Sequence, residues 1–125
     1  MEIVQVAQGV VDLDRAAAFY ERLLGVPPTG RFDPPGLVFF RLGAVRLLLE
    51  TGAPGALVYL SVPDVVATVR ELAESGVRVV GEPAAIFRHL DSTLGPAGTE
   101  EWMGFIEDSE GNTVGLVSWL PIPSA

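Results

Sequence analysis

The sequence is poor in histidine and cysteine, two side chains that often act as bases, nucleophiles or metal ligands. There is one histidine, His89, and no cysteine, which excludes disulfides, thiolate zinc sites and a cysteine nucleophile. His89 lies in the polar stretch "FRHLDS". It is either an ordinary solvated side chain or, if this stretch folds over a cleft, a general base. Glu100 and Glu101 are adjacent and are expected to be solvated, with binding of a cation as the alternative.

Aromatic side chains are the other group that could contact a ligand. Most of them are expected in the core, because large apolar areas are normally buried there. Tyr59 and Trp102 are the exceptions, since both lie on predicted strands of the second half of the chain, beside a loop rich in Gly and Pro. We predict that these two side chains line a cleft.

The charge balance excludes several classes of partner. Sixteen acidic residues against eight basic ones give a formal net charge of −8, and the basic residues form no cluster that could bind phosphates. Nucleic acid and anionic membrane are therefore not expected as partners. The acidic surface is expected to serve solubility, and an acidic groove for a cationic ligand is the functional alternative.

The sequence carries no sign of export or membrane insertion. Its N-terminus has no basic segment ahead of an apolar run, and no apolar run is long enough to cross a bilayer. We expect a soluble, cytoplasmic protein whose 125 residues form a single domain.

The elements that would position these residues occur twice along the chain. Each half starts with a predicted strand, which in the first half is rich in β-branched residues, and continues with an amphipathic helix, whose N-terminus is marked by Asp12 or Asp64. Gly25 and Gly76 are placed to end the two helices. Each half then closes with two strands around a turn, "GLVFFRLGAVRLLLE" in the first and "EEWMGFIEDSEGNTVGLVSW" in the second.

This repetition predicts an α+β fold of two paired modules with a curved mixed sheet that forms a cleft. Module one covers about residues 1–52 and module two about residues 56–120. Between the second helix and the last hairpin, the sequence predicts a short strand near Val77–Val80 and then a mobile loop rich in Gly, Pro, Ser and Thr.

Four segments together resemble a known superfamily: "VVDLDRAAAFYERLLGV", "RLGAVRLLLE", "VPDVVATVRELAESGVRVVGEP" and "EEWMGFIEDSEGNTVGL". In this order they are similar to the vicinal oxygen chelate superfamily, the group of glyoxalase I, bleomycin-resistance proteins and extradiol dioxygenases. The resemblance covers nearly the whole chain. It implies paired βαβββ modules, usually a homodimer, and a cleft that holds a divalent metal in the enzyme members.

The resemblance also implies four metal-ligand positions, and two of them hold residues without a ligating side chain. The first-strand ligand falls on Gln5 and the carboxylate of the first module on Glu50, whereas the histidine and glutamate of the second module fall on Leu57 and Gly115. One amide and one carboxylate are too few for tight binding of a divalent ion by a single chain. Gly115 could instead let a bulky ligand approach the backbone.

Two main functions follow. The first is a small-molecule-binding protein of this superfamily that lacks the full metal site and sequesters an aromatic or cationic compound. The alternative is a metal-dependent lyase, isomerase or dioxygenase of glyoxalase type, in which His89 or Glu101 completes a divalent-metal site. A domain with a vestigial cleft is the third, blander possibility. Ligand contacts are expected at Gln5, Glu50, Tyr59, Trp102 and Gly115, and a metal could be held by Gln5 and Glu50.

Overall fold

The chain forms two compact units in the computed structural model, which describes residues 1–107, 109 and 111–124. One unit is Val4–Val58, and the other combines Met1–Ile3 with Tyr59–Ala125; they are called the first and second unit below. Eight strands and two helices lie in the described residues, in the order strand, helix, three strands, twice over. This order confirms the predicted α+β class and the two βαβββ modules. Neither of these helices is long and apolar enough to span a membrane.

The first module contributes a mixed sheet. Its elements are β1 (Ile3–Val10), α1 (Leu13–Leu24), β2 (Gly30–Phe32), β3 (Leu37–Leu42) and β4 (Val45–Thr51). β4 pairs in parallel with β1 and antiparallel with β3, which in turn pairs antiparallel with β2. The short strand β2 follows from the βαβββ resemblance but not from the local sequence pattern, because three residues are too few to show a period.

Helix α1 starts and ends where its local signals predict. The side chain of Asp12 accepts a hydrogen bond from the backbone N–H of Arg15 at 3.0 Å, and Gly25 takes the left-handed conformation with φ of 74°. The helix packs on one face of the first unit's sheet, and the buried residues of this core are Leu13, Ala17, Val38, Phe40 and Leu49. Because side chains alternate along a strand, Arg46, Leu48 and Glu50 point to the face turned away from α1.

The second module repeats this plan. Its elements are β5 (Leu57–Ser61), α2 (Val65–Glu74), β6 (Val79–His89), β7 (Thr99–Glu107) and β8 (Thr113–Pro121). In the second unit the strand order is β5-β8-β7-β6, with β7 antiparallel to both neighbours. Asp64 caps α2 by accepting from the N–H of Ala67 at 3.1 Å. The helix covers one face of the sheet, where the buried residues are Val62, Val65, Val69 and Leu116.

The predicted mobile loop after Val80 is wrong for residues 81–89, which continue β6 up to His89. Gly81 and Pro83 interrupt the alternating pattern that marks a strand, so the strand predicted from the local pattern is too short. The structure accommodates them as irregularities, with register shifts between Val79 and Gly81 and between Gly81 and Ala84. The irregular connection is therefore only residues 90–98.

Candidate functional site

Gln5 is a buried polar side chain without a partner for its oxygen. It lies in register with Arg46 of β4, on the face turned away from α1, and is 1 % exposed. Among the described residues, no group donates a hydrogen bond to Gln5 Oε1. An acceptor buried in this way costs about 1–3 kcal/mol, and native proteins leave few of them. Gln5 therefore presents an acceptor that a hydrogen-bond donor of a ligand could satisfy.

Arg46 is a buried arginine in register with Gln5 that was not predicted as a site residue. It is 6 % exposed, and its guanidinium carbon lies 5.6 Å from the centre of the Phe39 ring, within the range of a cation–π contact. The available signal was that Arg46 shares one face of the strand "VRLLLE" with Leu48 and Glu50.

Glu50 lies on the same face of β4 as Arg46 but further along the strand. It is in register with Gly9, four residues beyond Gln5, which corresponds to about 13 Å along a strand. Partial burial raises the pKa of Glu50 above its ordinary value, because desolvation disfavours the charged form. The strand register thus does not place Glu50 directly beside Gln5.

Gly115 is explained by its neighbour Tyr59. A side chain at position 115 would collide with the Tyr59 ring, which is 4 % exposed and packs edge-on against Phe105 with 5.8 Å between ring centres. In the second unit the room over Gly115 is therefore taken by an aromatic ring of the protein itself. Ligand contact at Tyr59 and Gly115 stays a prediction.

His89 and Glu101 are not solvated, contrary to expectation. Both are 2 % exposed, and His89 Nε2 lies 2.8 Å from Glu101 Oε1. Trp119 Nε1 donates to the same oxygen at 3.0 Å. The expectation failed because β6 extends to His89 and pairs with β7, so that the histidine belongs to the sheet and not to a polar loop. Glu101 and Trp119 are likewise brought together as register partners.

The connection between β6 and β7 packs directly on this buried group. A Cβ atom at Gly95 would lie 2.8 Å from the His89 ring and 3.0 Å from Trp119 Nε1, and Leu94 is also buried. A paired imidazole and carboxylate can hold or pass a proton. In this structure the pair is enclosed, so a role for His89 as a general base remains a prediction.

Trp102 lies on the opposite face of the second unit's sheet from Tyr59. Its neighbour on the same face of β7 is Gly104, which meets Val65 and Val69 of α2, whereas Tyr59 covers Gly115 on the other face. Trp102 lines a groove of about 770 Å³ between α2, β6 and β7. The structure therefore does not bring Trp102 and Tyr59 into one cleft, because alternation along β7 and β8 sends them to different faces.

The family of the chain follows from its match to a family model. The model of the Glyoxalase/Bleomycin resistance protein/Dioxygenase superfamily matches residues 2–116. The chain belongs to this superfamily. Among curated proteins, no match is found.

Solved structures of the glyoxalase superfamily share the fold. A member from Vibrio splendidus 12B01 is 13 % identical, with 95 % of this chain and 98 % of that chain covered and a TM-score of 0.69. A methylmalonyl-CoA epimerase variant from Streptomyces coelicolor in complex with 2-nitronate-propionyl-CoA is 18 % identical, with coverages of 98 % and 99 % and a TM-score of 0.66. The Mn(II)-bound glyoxalase from Novosphingobium aromaticivorans is 18 % identical, with coverages of 99 % and 42 % and a TM-score of 0.67. At these identities the likeness concerns the fold alone.

The four positions that the superfamily resemblance assigns to metal ligands do not fit a complete four-ligand site. Leu57 is a buried apolar residue, and Gly115 has no side chain and lies under Tyr59. Gln5 and Glu50 have oxygen atoms of the kind that hard divalent cations bind, but they are offset along their strands. Within the described part of the chain, no three His, Cys, Asp or Glu side chains are grouped to hold a metal ion.

Proposed function

We propose that this superfamily member is a small-molecule-binding protein that works without the full metal site of the family and sequesters an aromatic or cationic compound. The observation that carries the proposal is the buried, unpartnered oxygen of Gln5. A bound molecule that donates a hydrogen bond to this oxygen would remove the cost of leaving it unsatisfied. The binding energy gained there is therefore available only to a ligand with a donor at the right place.

The surroundings of Gln5 narrow the class of compound. The donor that can meet the oxygen of Gln5 is a hydroxyl or an N–H group. Phe39, which lies under the Arg46 guanidinium, provides apolar area on the same face. An aromatic compound with a hydroxyl or N–H group is accordingly the ligand that the first unit favours. Glu50 is proposed as a further ligand contact within the first unit, and Tyr59 and Gly115 are proposed, separately, as ligand contacts within the second unit.

The alternative function is a metal-dependent lyase, isomerase or dioxygenase of glyoxalase type. It is favoured by one specific observation, since the oxygen of Gln5, at the position to which the superfamily resemblance assigns the first ligand, has no hydrogen-bond donor among the described residues. Leu57 and Gly115 make this alternative less favourable, because they occupy the two metal-ligand positions that the superfamily resemblance assigns to the second module and neither has a ligating side chain. Dimerisation of two identical chains and a cytoplasmic location are proposed with either function.

Binding is tested by a thermal-shift screen of aromatic compounds with hydroxyl or N–H groups. The wild type should show a saturable rise in melting temperature with at least one of them, since a ligand present at about 100 times its Kd stabilises by about 2.7 kcal/mol. Gln5→Leu should abolish this rise. Gln8→Leu, which changes a glutamine on the opposite face of β1, should retain it.

The outcomes separate the possibilities clearly. A wild-type protein that shows no saturable shift with any compound contradicts the proposal. A shift that is unchanged in Gln5→Leu would contradict the placement of the ligand at Gln5.

A further inference from the structure

The helix side of the second unit carries a groove that has no part in the site proposed around Gln5. It is formed by α2, β6 and β7 and has a volume of about 770 Å³. Its lining is largely apolar and includes Val69, Val79, Pro83 and Trp102, while Arg70, Glu74 and Glu82 supply the charged groups. A volume of this size suits a drug-sized molecule, for which pockets are typically about 300–1,000 Å³.

Trp102 is held in a fixed orientation within this groove. Its Nε1 donates to Glu100 Oε1 at 3.0 Å, and Glu100 Oε2 in turn accepts from Arg88 Nε at 3.1 Å. The side chain of Glu100 is only 12 % exposed. The polar atom of the indole is thus satisfied within the protein, and its ring needs little further ordering when a ligand binds, which favours affinity.

The charges around the groove select the sign of the ligand. Glu74 and Glu82 are exposed, and among the described residues no ion pair involves either of them. Arg70 is one helical turn from Glu74 and offsets one of the two negative charges. One negative charge is left at the groove, on a protein with a formal net charge of −8, and long-range attraction therefore favours a cation.

We propose that this groove binds a planar organic cation, an aromatic ring system with a quaternary or protonated nitrogen, stacked on Trp102. Tryptophan is the aromatic side chain with the strongest attraction for cations, and Glu74 and Glu82 supply the counter-charge. A folded protein partner is a poorer occupant, because a stable protein interface buries more than about 1,000 Å² and this groove is the size of a single small molecule. The groove does not include Gln5 and would therefore be a second ligand site of the protein.

The two tryptophans of the chain make a direct test possible. Trp119→Phe leaves Trp102 as the only indole, and Trp102→Phe leaves Trp119, which lies on the opposite face of the sheet. N-methylquinolinium is titrated against both variants while tryptophan emission is recorded, and 1-methylnaphthalene serves as the neutral ligand of the same shape. Saturable quenching is expected only in the variant that keeps Trp102. Its affinity for the cation should exceed that for the neutral compound about three- to tenfold.

Calorimetric titration of proteins that keep both tryptophans gives an independent measurement of binding. It does not require either tryptophan variant to fold. Glu74→Gln and Glu82→Gln should each weaken binding of N-methylquinolinium. Glu71→Gln makes the same charge change on the same helix but outside the groove, and it should leave the affinity unchanged.

Three results would overturn the proposal: equal affinity for the neutral compound, equal quenching in both tryptophan variants, or an equal effect of Glu71→Gln and Glu74→Gln. Gln5→Leu should not alter this titration. A failed screen at Gln5 together with saturable binding here would therefore reject the proposed function and leave the groove proposal standing.

Discussion

Gln5 and Gln8 carry the same side chain, but the hydrogen bonding of their amide oxygens differs. Both are glutamines of β1, three residues apart, and their side chains point to opposite faces. Gln8 Oε1 accepts a hydrogen bond from the backbone N–H of Ala56 at 3.3 Å, whereas Gln5 Oε1 is buried without a donor. The oxygen of Gln8 therefore makes a structural hydrogen bond, whereas the oxygen of Gln5 is an unsatisfied acceptor that lowers the stability of the ligand-free protein.

Replacing Gln5 should therefore stabilise the ligand-free protein. Gln5→Leu removes the unsatisfied oxygen and keeps most of the side-chain volume, so the free energy of unfolding should rise by about 1 kcal/mol. Gln8→Leu is the matched control and should lower it, because the N–H of Ala56 loses its acceptor. Urea denaturation of the two variants and the wild type measures both changes. A loss of stability in Gln5→Leu equal to that in Gln8→Leu would contradict this account of Gln5.

Glu50 leads to a prediction about pH. Its pKa is raised above the ordinary value of 4.5 by burial, so the folded chain holds this proton more tightly than the unfolded chain. The contribution of this tighter proton binding to stability is fully present below the pKa of the unfolded chain. It is lost as the pH rises through the pKa of the folded chain. At neutral pH the charged carboxylate opposes folding through its desolvation.

Glu50→Gln should accordingly melt at a higher temperature than the wild type at neutral pH, and the difference should shrink as the pH falls below the ordinary carboxyl pKa. Melting curves across this range test it, with Glu21→Gln on α1 as the control for removing an exposed carboxylate. A difference that does not depend on pH would show that burial of Glu50 is not its cause.

At the scale of elements, the sequence predicts those structures that local signals determine. The capping aspartates and the left-handed Gly25 were found correctly, because each acts within one helical turn. The extension of β6 was missed, since Gly81 and Pro83 disturb its pattern and the strand depends on pairing with β7, which is distant in sequence. The burial of His89 depends on the same pairing, so the prediction that this side chain is solvated was wrong for the same reason.

Strands β5 and β8 are in close contact where the Tyr59 ring lies over Gly115. Gly115→Ala places a methyl group against the Tyr59 ring and should destabilise the protein by about 1–3 kcal/mol, the usual cost of overpacking. In a Tyr59→Ala background the same change should cost much less, because the ring that the methyl group would meet is gone. The effects of substituting two residues in contact are generally not additive. Thermal or urea unfolding of the four proteins of this cycle measures the coupling. Equal costs in both backgrounds would mean that Tyr59 is not the reason for a glycine in β8.

At the scale of the whole molecule, the order of motifs was sufficient to predict the superfamily and the βαβββ modules. The candidate site was predictable only in part. Gln5 could be named from its place in the first strand, but its lack of a hydrogen-bond donor and the burial of Arg46 are tertiary properties that no local pattern carries. Trp102 and Tyr59 could be named as aromatic residues on strands, but the register of β7 and β8 decided which face each one occupies.

We propose that Leu57 and Gly115 leave this superfamily member without the full metal site and that it binds an organic ligand instead. The most direct test is elemental analysis of protein purified without chelator, followed by thermal-shift titration of the metal-stripped protein with manganese, nickel, zinc, iron and magnesium. We predict well under one divalent ion per chain and no saturable rise in melting temperature with any of these metals. One ion per chain, lost in both Gln5→Ala and Glu50→Ala, would contradict the claim and favour the metal-dependent enzyme.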